Sequence, residues 1–272
     1  MKYFRNTTKY VFRNFPMLLL FAFIPAIILC FTGNIWKFVA FFANSNAVSL
    51  SFGQIYSYFS FMFGESVLLG LLGIFVVAFF ASLTFSAIER HMKIGKISIS
   101  RPFARVDETI LAVLPVFAFY IIMLEFCALF NTTIIVCAGL VSSTFASVVA
   151  VVSTLVIYGA SIVVAVQIIF WIPSMIVLGY PLKSALIFSM NSISGKTSYA
   201  FKHFAISIIL GTVISGCAYV FLSGIIGAFT PLIITAVYLL LFMFIISYSM
   251  VAFFDVAEET RNDIKGKKNY IT

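Results

Sequence analysis

Residues 172–204, IPSMIVLGYPLKSALIFSMNSISGKTSYAFKHF, form the one polar connector inside the apolar C-terminal half, and the topology of the chain turns on where they lie. Pro181 suits the first turn of a helix, where its missing N–H costs nothing. Leu182, Ala185, Leu186, Met190 and Ile193 then recur at helical spacing as an apolar stripe. Gly195 stops that helix, and Thr197 or Ser198 is placed to cap the next. The spacing predicts an amphipathic helix lying along one membrane face, with Lys183, Lys196 and Lys202 among anionic headgroups.

What surrounds the connector is apolar. Of 272 residues, 62% are hydrophobic and 10% charged, with a mean hydropathy of +1.14, whereas about a quarter of a soluble domain is charged. A bilayer core of about 30 Å needs roughly 20 apolar residues per helix. The 23 uncharged residues between Arg13 and Lys37, and the 23 between Glu65 and Glu89, each supply one span. The 51 residues from Phe204 to Phe254, broken at Thr230-Pro231, supply two more.

Between them, Thr109–Leu182 carries a single charge, Glu125. The third span is predicted over Thr109–Phe130, with Asp107-Glu108 favouring its N-terminus and Pro115 kinking it. The uncharged run Ile134–Leu178 is 45 residues, about 67 Å as one helix. That length suits two spans as well as one, so charge asymmetry must decide. With the N-terminus inside and six spans, every one of the 17 Lys and Arg residues except Lys37 is cytoplasmic. A seventh span would send a basic connector outward. The fourth span is therefore expected over Val152–Leu178, with 134–151 a re-entrant piece, an outer interfacial piece or a helical extension beyond the bilayer.

The expected fold is all-α: a polytopic transmembrane helix bundle of about six spans with interfacial amphipathic helices. It is one membrane domain over residues 1–272, with 1–14 a basic interfacial helix and 255–272 a polar cytoplasmic tail, helical until it frays near Gly266. The expected location is the plasma membrane, multi-pass, with both termini cytoplasmic. Lys2, Arg5, Lys9 and Arg13 share one stripe of the N-terminal helix, away from Phe4, Val11 and Phe15, as an anchor on the anionic leaflet requires. A cleaved signal peptide is not expected, because the apolar run from Phe15 to Phe31 is too long and no small-x-small site follows it. Residues 36–64, rich in Phe and Tyr, are expected along the outer surface with a short helix.

Small residues predict packing faces at Ala78, Ser82 and Ser86, and again at Ser207, Gly211 and Ser215. Cys30, Cys127, Cys137 and Cys217 sit in apolar surroundings with no metal-ligand spacing and read as inert thiols. His91, in the basic loop after the second span, reads as a solvated interfacial residue. No HExxH, GxSxG, P-loop, CxxC or Ser-His-Asp pattern is present, and the basic loops follow from topology without nucleic acid. Neither enzyme activity, cofactor nor metal is expected.

Inside the bilayer the polar candidates are Glu65, Glu125 and Gln167, plus scattered serines, with Glu65 read as interfacial. An intramembrane carboxylate is a functional hypothesis by default, here a proton or cation site. The alternative is a protonated Glu125 bonded to a serine or tyrosine, or one snorkelling towards the outer headgroups, that merely glues helices. Gln167 reads as helix glue.

Trp171-Ile172-Pro173, the turn Gly179-Tyr180-Pro181, Lys183-Ser184-Ala185-Leu186, Ser189 and Ser194-Gly195-Lys196 together resemble a bacterial six-span membrane family. That family is similar to the membrane domain attached to some glycerophosphodiester phosphodiesterases. The exit of the last span, from Tyr248 to Phe254-Asp255, resembles the family's aromatic-aspartate close, and the likeness covers roughly residues 165–260. Ser192-Ile193-Ser194 stands where the family's helix carries basic residues. The resemblance implies a six-helix fold and carries no activity. The expectation is a non-enzymatic scaffold, regulator or accessory in a lipid or envelope process, with a membrane-protein partner or second copy left open. The alternative is a small transporter or channel using Glu125.

Overall fold

Apolar runs too long to meet water become helices, and Asn, Gly and Pro set their ends. The computed structural model describes residues 2–33, 36–44, 49–95, 106–193, 197–222 and 229–265, and among them all regular structure is helical. Helix α1 (Lys2–Arg13) breaks at Asn14, whose amide donates to the Tyr10 carbonyl, and α2 (Phe15–Thr32) restarts on Pro16. Two short helices follow, α3 (Lys37–Ala43) and α4 (Phe52–Phe59), the latter opened by a Ser51–Gln54 capping box. Then come α5 (Val67–Ile94), α6 (Val106–Gly139), α7 (Ser143–Gln167), α8 (Trp171–Leu178), α9 (Leu182–Ile193) and α10 (Thr197–Cys217), which continues as a π-helical turn over Ala218–Leu222. Helices α11 (Thr230–Val256) and α12 (Asn262–Lys265) close the order.

Six stretches are long and apolar enough to cross a membrane: Phe15–Ala43, Val67–Ile94, Val106–Gly139, Ser143–Leu178, Lys202–Leu222 and Thr230–Val256. Leu68, Leu72, Leu111, Phe126, Leu155 and Val156 are each more than half exposed on them. An apolar surface of that extent belongs in lipid rather than water. The chain is a multi-pass membrane protein.

Helices α5, α6, α7, α10 and α11 each pack on the next and close a ring, with α2 wedged against α5 and α11. Both termini gather at one end, where α1 packs on α11, α12 packs on α5 and α9 folds back on α8. The opposite end carries α3, α4 and the α6–α7 turn. These are called below the terminal end and the hairpin end. The predicted small-residue face on α5 is fully used, since Ala78, Ser82 and Ser86 are all buried. On α10, a Cβ added to Gly211 would lie 2.5 Å from Leu241 Cδ1, so this face meets α11 closely.

Several expectations are corrected. Of the readings left open for residues 134–151 the structure shows the helical extension: α6 runs on to Gly139 and α7 starts at Ser143, making a helical hairpin. Polar groups there find partners across the hairpin, with Asn131 Nδ2 donating to Thr154 Oγ1 at 3.0 Å and Ser153 Oγ donating to Asn131 Oδ1 at 2.6 Å. Phe41 and Ile55 from α3 and α4 cover Ile135 and Ala150. The predicted end of α6 at Phe130 therefore falls inside the helix, which also runs unbroken through Pro115.

Helix α7 instead breaks at Ile168–Phe170, upstream of Pro173, because proline has no N–H for the carbonyl four residues back and its ring crowds that turn. The break leaves an orphan N–H and carbonyl, and Ser189 meets both: Phe170 N donates to its hydroxyl oxygen at 3.1 Å, and the hydroxyl donates to the Gln167 carbonyl at 2.7 Å. That demand rotates α9. Its buried face is Ala185, Ser189 and Ile193, while Leu182 and Met190 of the predicted stripe are exposed. Gly195, the predicted stop, lies outside the described residues.

The tail is not a continuation of α11. The last span ends at Val256, Glu258 takes a left-handed φ of 56°, and α12 is a separate turn. His91 is not solvated: it is 4% exposed, and its Nδ1 is 2.9 Å from the buried Tyr10 hydroxyl. Burial pushes the Tyr10 phenol up. Gly95 ends α5 at φ 78°, and a Cβ there would meet the Asn262 carbonyl oxygen at 3.1 Å. Only glycine lets the tail pass so close in that conformation.

Candidate functional site

Glu125 sits on α6, 14 residues before its end, and is 5% exposed. Its carboxylate is held by four donors from one short segment. Tyr56 Oη and Ser60 Oγ donate to Oε2 at 2.7 and 2.8 Å, and the backbone N–H groups of Met62 and Phe63 donate to Oε1 at 2.6 and 3.3 Å. The local sequence builds this clasp. Tyr56 and Ser60 are four apart and share a face of α4 and its exit, and the chain then bends through 61–65 so that two successive N–H groups point at one oxygen. Gly70 on α5 seats the bend, because a Cβ there would lie 2.2 Å from Phe63 Cδ1 and 2.7 Å from the Met62 carbonyl oxygen.

A carboxylate offers about four lone-pair sites on its two oxygens, and four donors match that number. Burial first, and then the bond to Glu125, push the Tyr56 phenol up to about 12. Of the two sequence readings of Glu125, the geometry matches the one with serine and tyrosine partners. Glu65, close by, pairs with Lys37 of α3 at the same end.

Beside the clasp the ring is hollow. A cavity of about 350 Å³ lies between the helices, within the range of roughly 300–1,000 Å³ typical of ligand pockets. Its wall on α6 runs from Val113 to Asn131, about 27 Å along the axis. Walls come from all five ring helices, with Leu29 of α2, and the hairpin end is roofed by Phe38, Tyr58, Phe59 and Phe61. Among the described residues no Asp, Glu, Lys or Arg lines it. Two of its tyrosines are bonded within the wall: Tyr120 Oη donates to the Ser161 carbonyl at 3.1 Å, and the Tyr158 and Thr212 hydroxyls are 2.6 Å apart. Such a slot can take a hydrocarbon chain and excludes a charged group.

The remaining predicted residues are dispersed. Gln167 is the last residue of α7, and its carbonyl, not its place in mid-span, gives it a role, as the acceptor for Ser189. Arg5, Lys9, Lys183 and Lys202 are exposed. Arg13 is exposed and its Nη1 donates to the Asp263 carbonyl at 3.3 Å. The Lys2 side chain and all of Lys196 lie outside the described residues. The face of α1 turned to the bundle is Thr7, Tyr10, Val11 and Asn14, which leaves Arg5, Lys9 and Arg13 outward with Phe12.

Sequence reasoning missed the cavity, since a wall residue and a lipid-facing residue have the same composition. It also read Tyr56, Ser60 and the aromatics around them as interfacial, although the Tyr56/Ser60 spacing was a usable signal of two hydroxyls on one face. Among the described residues no three His, Cys, Asp or Glu side chains group as a metal site, and Cys127 and Cys137, both free thiols, are about 15 Å apart along α6. Comparison with protein families, curated proteins and solved structures finds no match to this chain.

Proposed function

We propose that the protein is a non-enzymatic membrane accessory in a lipid process, and that it holds the hydrocarbon chain of a membrane lipid inside its helix ring. The observation that carries this reading is the long, charge-free cavity between Val113 and Asn131, whose length matches a bilayer core. The reading places it in a bacterial plasma membrane with the terminal end cytoplasmic. Its support is the gathering of Arg5, Lys9, Arg13, Lys183 and Lys202 away from the Lys37 end, where they meet the anionic leaflet. Kinship to the membrane domain of glycerophosphodiester phosphodiesterases belongs to the same proposal and rests on the motifs of residues 165–260.

Transport through Glu125 has less support, because both its oxygens are engaged by the clasp and it does not line the cavity. The test is native mass spectrometry of protein extracted in mild detergent. Wild type is expected to retain lipid, and Ala165→Phe, which fills the cavity wall with a larger side chain, to lose it while keeping its helical circular dichroism. A wild type free of lipid, or an Ala165→Phe protein that retains it equally, would defeat the proposal.

A further inference from the structure

We infer that α4 and residues 60–65 form a lid over the hairpin-end mouth of the cavity, latched on Glu125, and that a lipid chain enters beneath it from the leaflet at that end. The inference rests on the cavity being a chain-binding site. Three observations carry it.

The terminal end is closed by packing. All nine residues of Ala81–Glu89 in α5 and all nine of Ile246–Phe254 in α11 are buried, with Ala81, Phe85, Ile246 and Ser249 facing the cavity and the runs below them packed into the core. Phe253 meets Phe170 and Phe188 edge to face, with ring centroids 5.9 and 6.0 Å apart, across the floor. Entry by that route would require unpacking a filled core.

The hairpin end is closed differently. Tyr58 and Phe59 of α4 and Phe61 just beyond it are half-buried and face the cavity. They come from a short helix laid across the opening, not from the ring itself. Lifting that helix and its exit takes three of the four roof rings away and leaves Phe38 of α3 in place.

The lid's polar attachment converges on one group. Tyr56, Ser60, Met62 and Phe63 all donate to the Glu125 carboxylate, so losing that one acceptor releases four bonds together. Contacts spread over several residues would give way piecemeal. A single multidentate acceptor makes an all-or-none polar latch, beside the apolar contact of Ile55 with Ile135 and Ala150. The chain that enters is uncharged hydrocarbon, as the wall demands, with its headgroup left at the rim beside Lys37 and Glu65.

The test uses the full chain in proteoliposomes of known orientation. A phospholipid with a diazirine in one acyl chain is supplied to the hairpin-side leaflet, and labelled residues are mapped against time before photolysis. Wild type is expected to label at Val113, Val116 or Ile162. Glu125→Ala is expected to reach the same final level at least about twenty-fold faster, because the four bonds to the carboxylate are lost together. Tyr56→Phe combined with Ser60→Ala, which keeps the backbone bonds to Glu125, is expected to move the same way and covers the case of an unfolded Glu125→Ala. Cavity labelling at unchanged rate in both variants overturns the lid and leaves the binding site standing. Faster entry from the terminal-side leaflet overturns it likewise. Absence of cavity labelling in every protein overturns the site itself and the lid with it.

Discussion

Replacing Glu125 by alanine removes the only acceptor shown for the Met62 N–H and the Tyr56 hydroxyl, at a place where Ser60 and Met62 are 0% and 1% exposed. Phe63 keeps its second acceptor, the Ser60 hydroxyl at 3.0 Å, and Tyr56, half-buried, can turn toward water or headgroups. The Met62 N–H and the Ser60 hydroxyl have no such escape. Two buried donors left without partners cost about 1–3 kcal/mol each. We expect about 2–6 kcal/mol of local stability to be lost at residues 60–65. In hydrogen exchange followed by mass spectrometry, the Met62 amide should exchange at least about twenty-fold faster, at tenfold per 1.4 kcal/mol. Peptides from Ile246–Phe254 should be unchanged. Glu125→Gln keeps an oxygen for the backbone pair and presents an amide to hydroxyls that can rotate to accept, so its cost should fall to about 1 kcal/mol. Protection at Met62 that is the same in wild type and Glu125→Ala would refute the clasp.

Other outcomes follow from the same geometry. Gly70→Ala should cost about 1–3 kcal/mol in thermal unfolding and loosen residues 61–65, because the Met62 carbonyl cannot move aside as the Phe63 ring can. The Tyr10–His91 bond should show a coupling of about 1 kcal/mol in a double-mutant cycle of Tyr10→Phe and His91→Gln. The Tyr56 phenol, raised to about 12 from 10.0, keeps its proton in the folded protein where the unfolded chain has lost it. Its contribution is therefore complete below pH 10 and declines between about pH 10 and 12. The ultraviolet tyrosinate titration of wild type minus Tyr56→Phe should show that late step, and a difference step near pH 10 would contradict it. Cysteines introduced at Ser143 and Lys183 should react with impermeant reagents from opposite sides of the membrane, and reaction from one side would contradict the six-span arrangement.

Spans, their number and the hairpin-forming breaks were legible because they follow from one-dimensional properties: length of uncharged runs, position of cations, and Pro and Gly. The Ile134–Leu178 run shows where this stops. Its length allowed an extension or a re-entrant piece, and only the packing of Phe41 and Ile55 over Ile135 and Ala150 selects the extension. Pro173 breaks its helix upstream of itself, since the carbonyl it cannot satisfy lies a turn earlier. In α9 the apolar stripe was real, yet the orphan groups at residues 167 and 170 needed a hydroxyl more than the core needed Leu182 or Met190. Within a membrane the apolar contrast between core and surface is weak, so polar bonding, not hydrophobicity, sets helix rotation.

The clasp divides the same way. Sequence alone determined that Glu125 is a lone acid in a charge-free stretch and must find partners, because an unpaired charge at that depth is too costly to keep. Which partners, and with what consequence, was decided by tertiary structure: Tyr56 and Ser60 lie more than sixty residues away in the chain, and the backbone donors Met62 and Phe63 have no sequence signature at all. The cavity beside them is likewise a property of how five helices fail to fill their own ring, a difference of volumes that no single helix encodes.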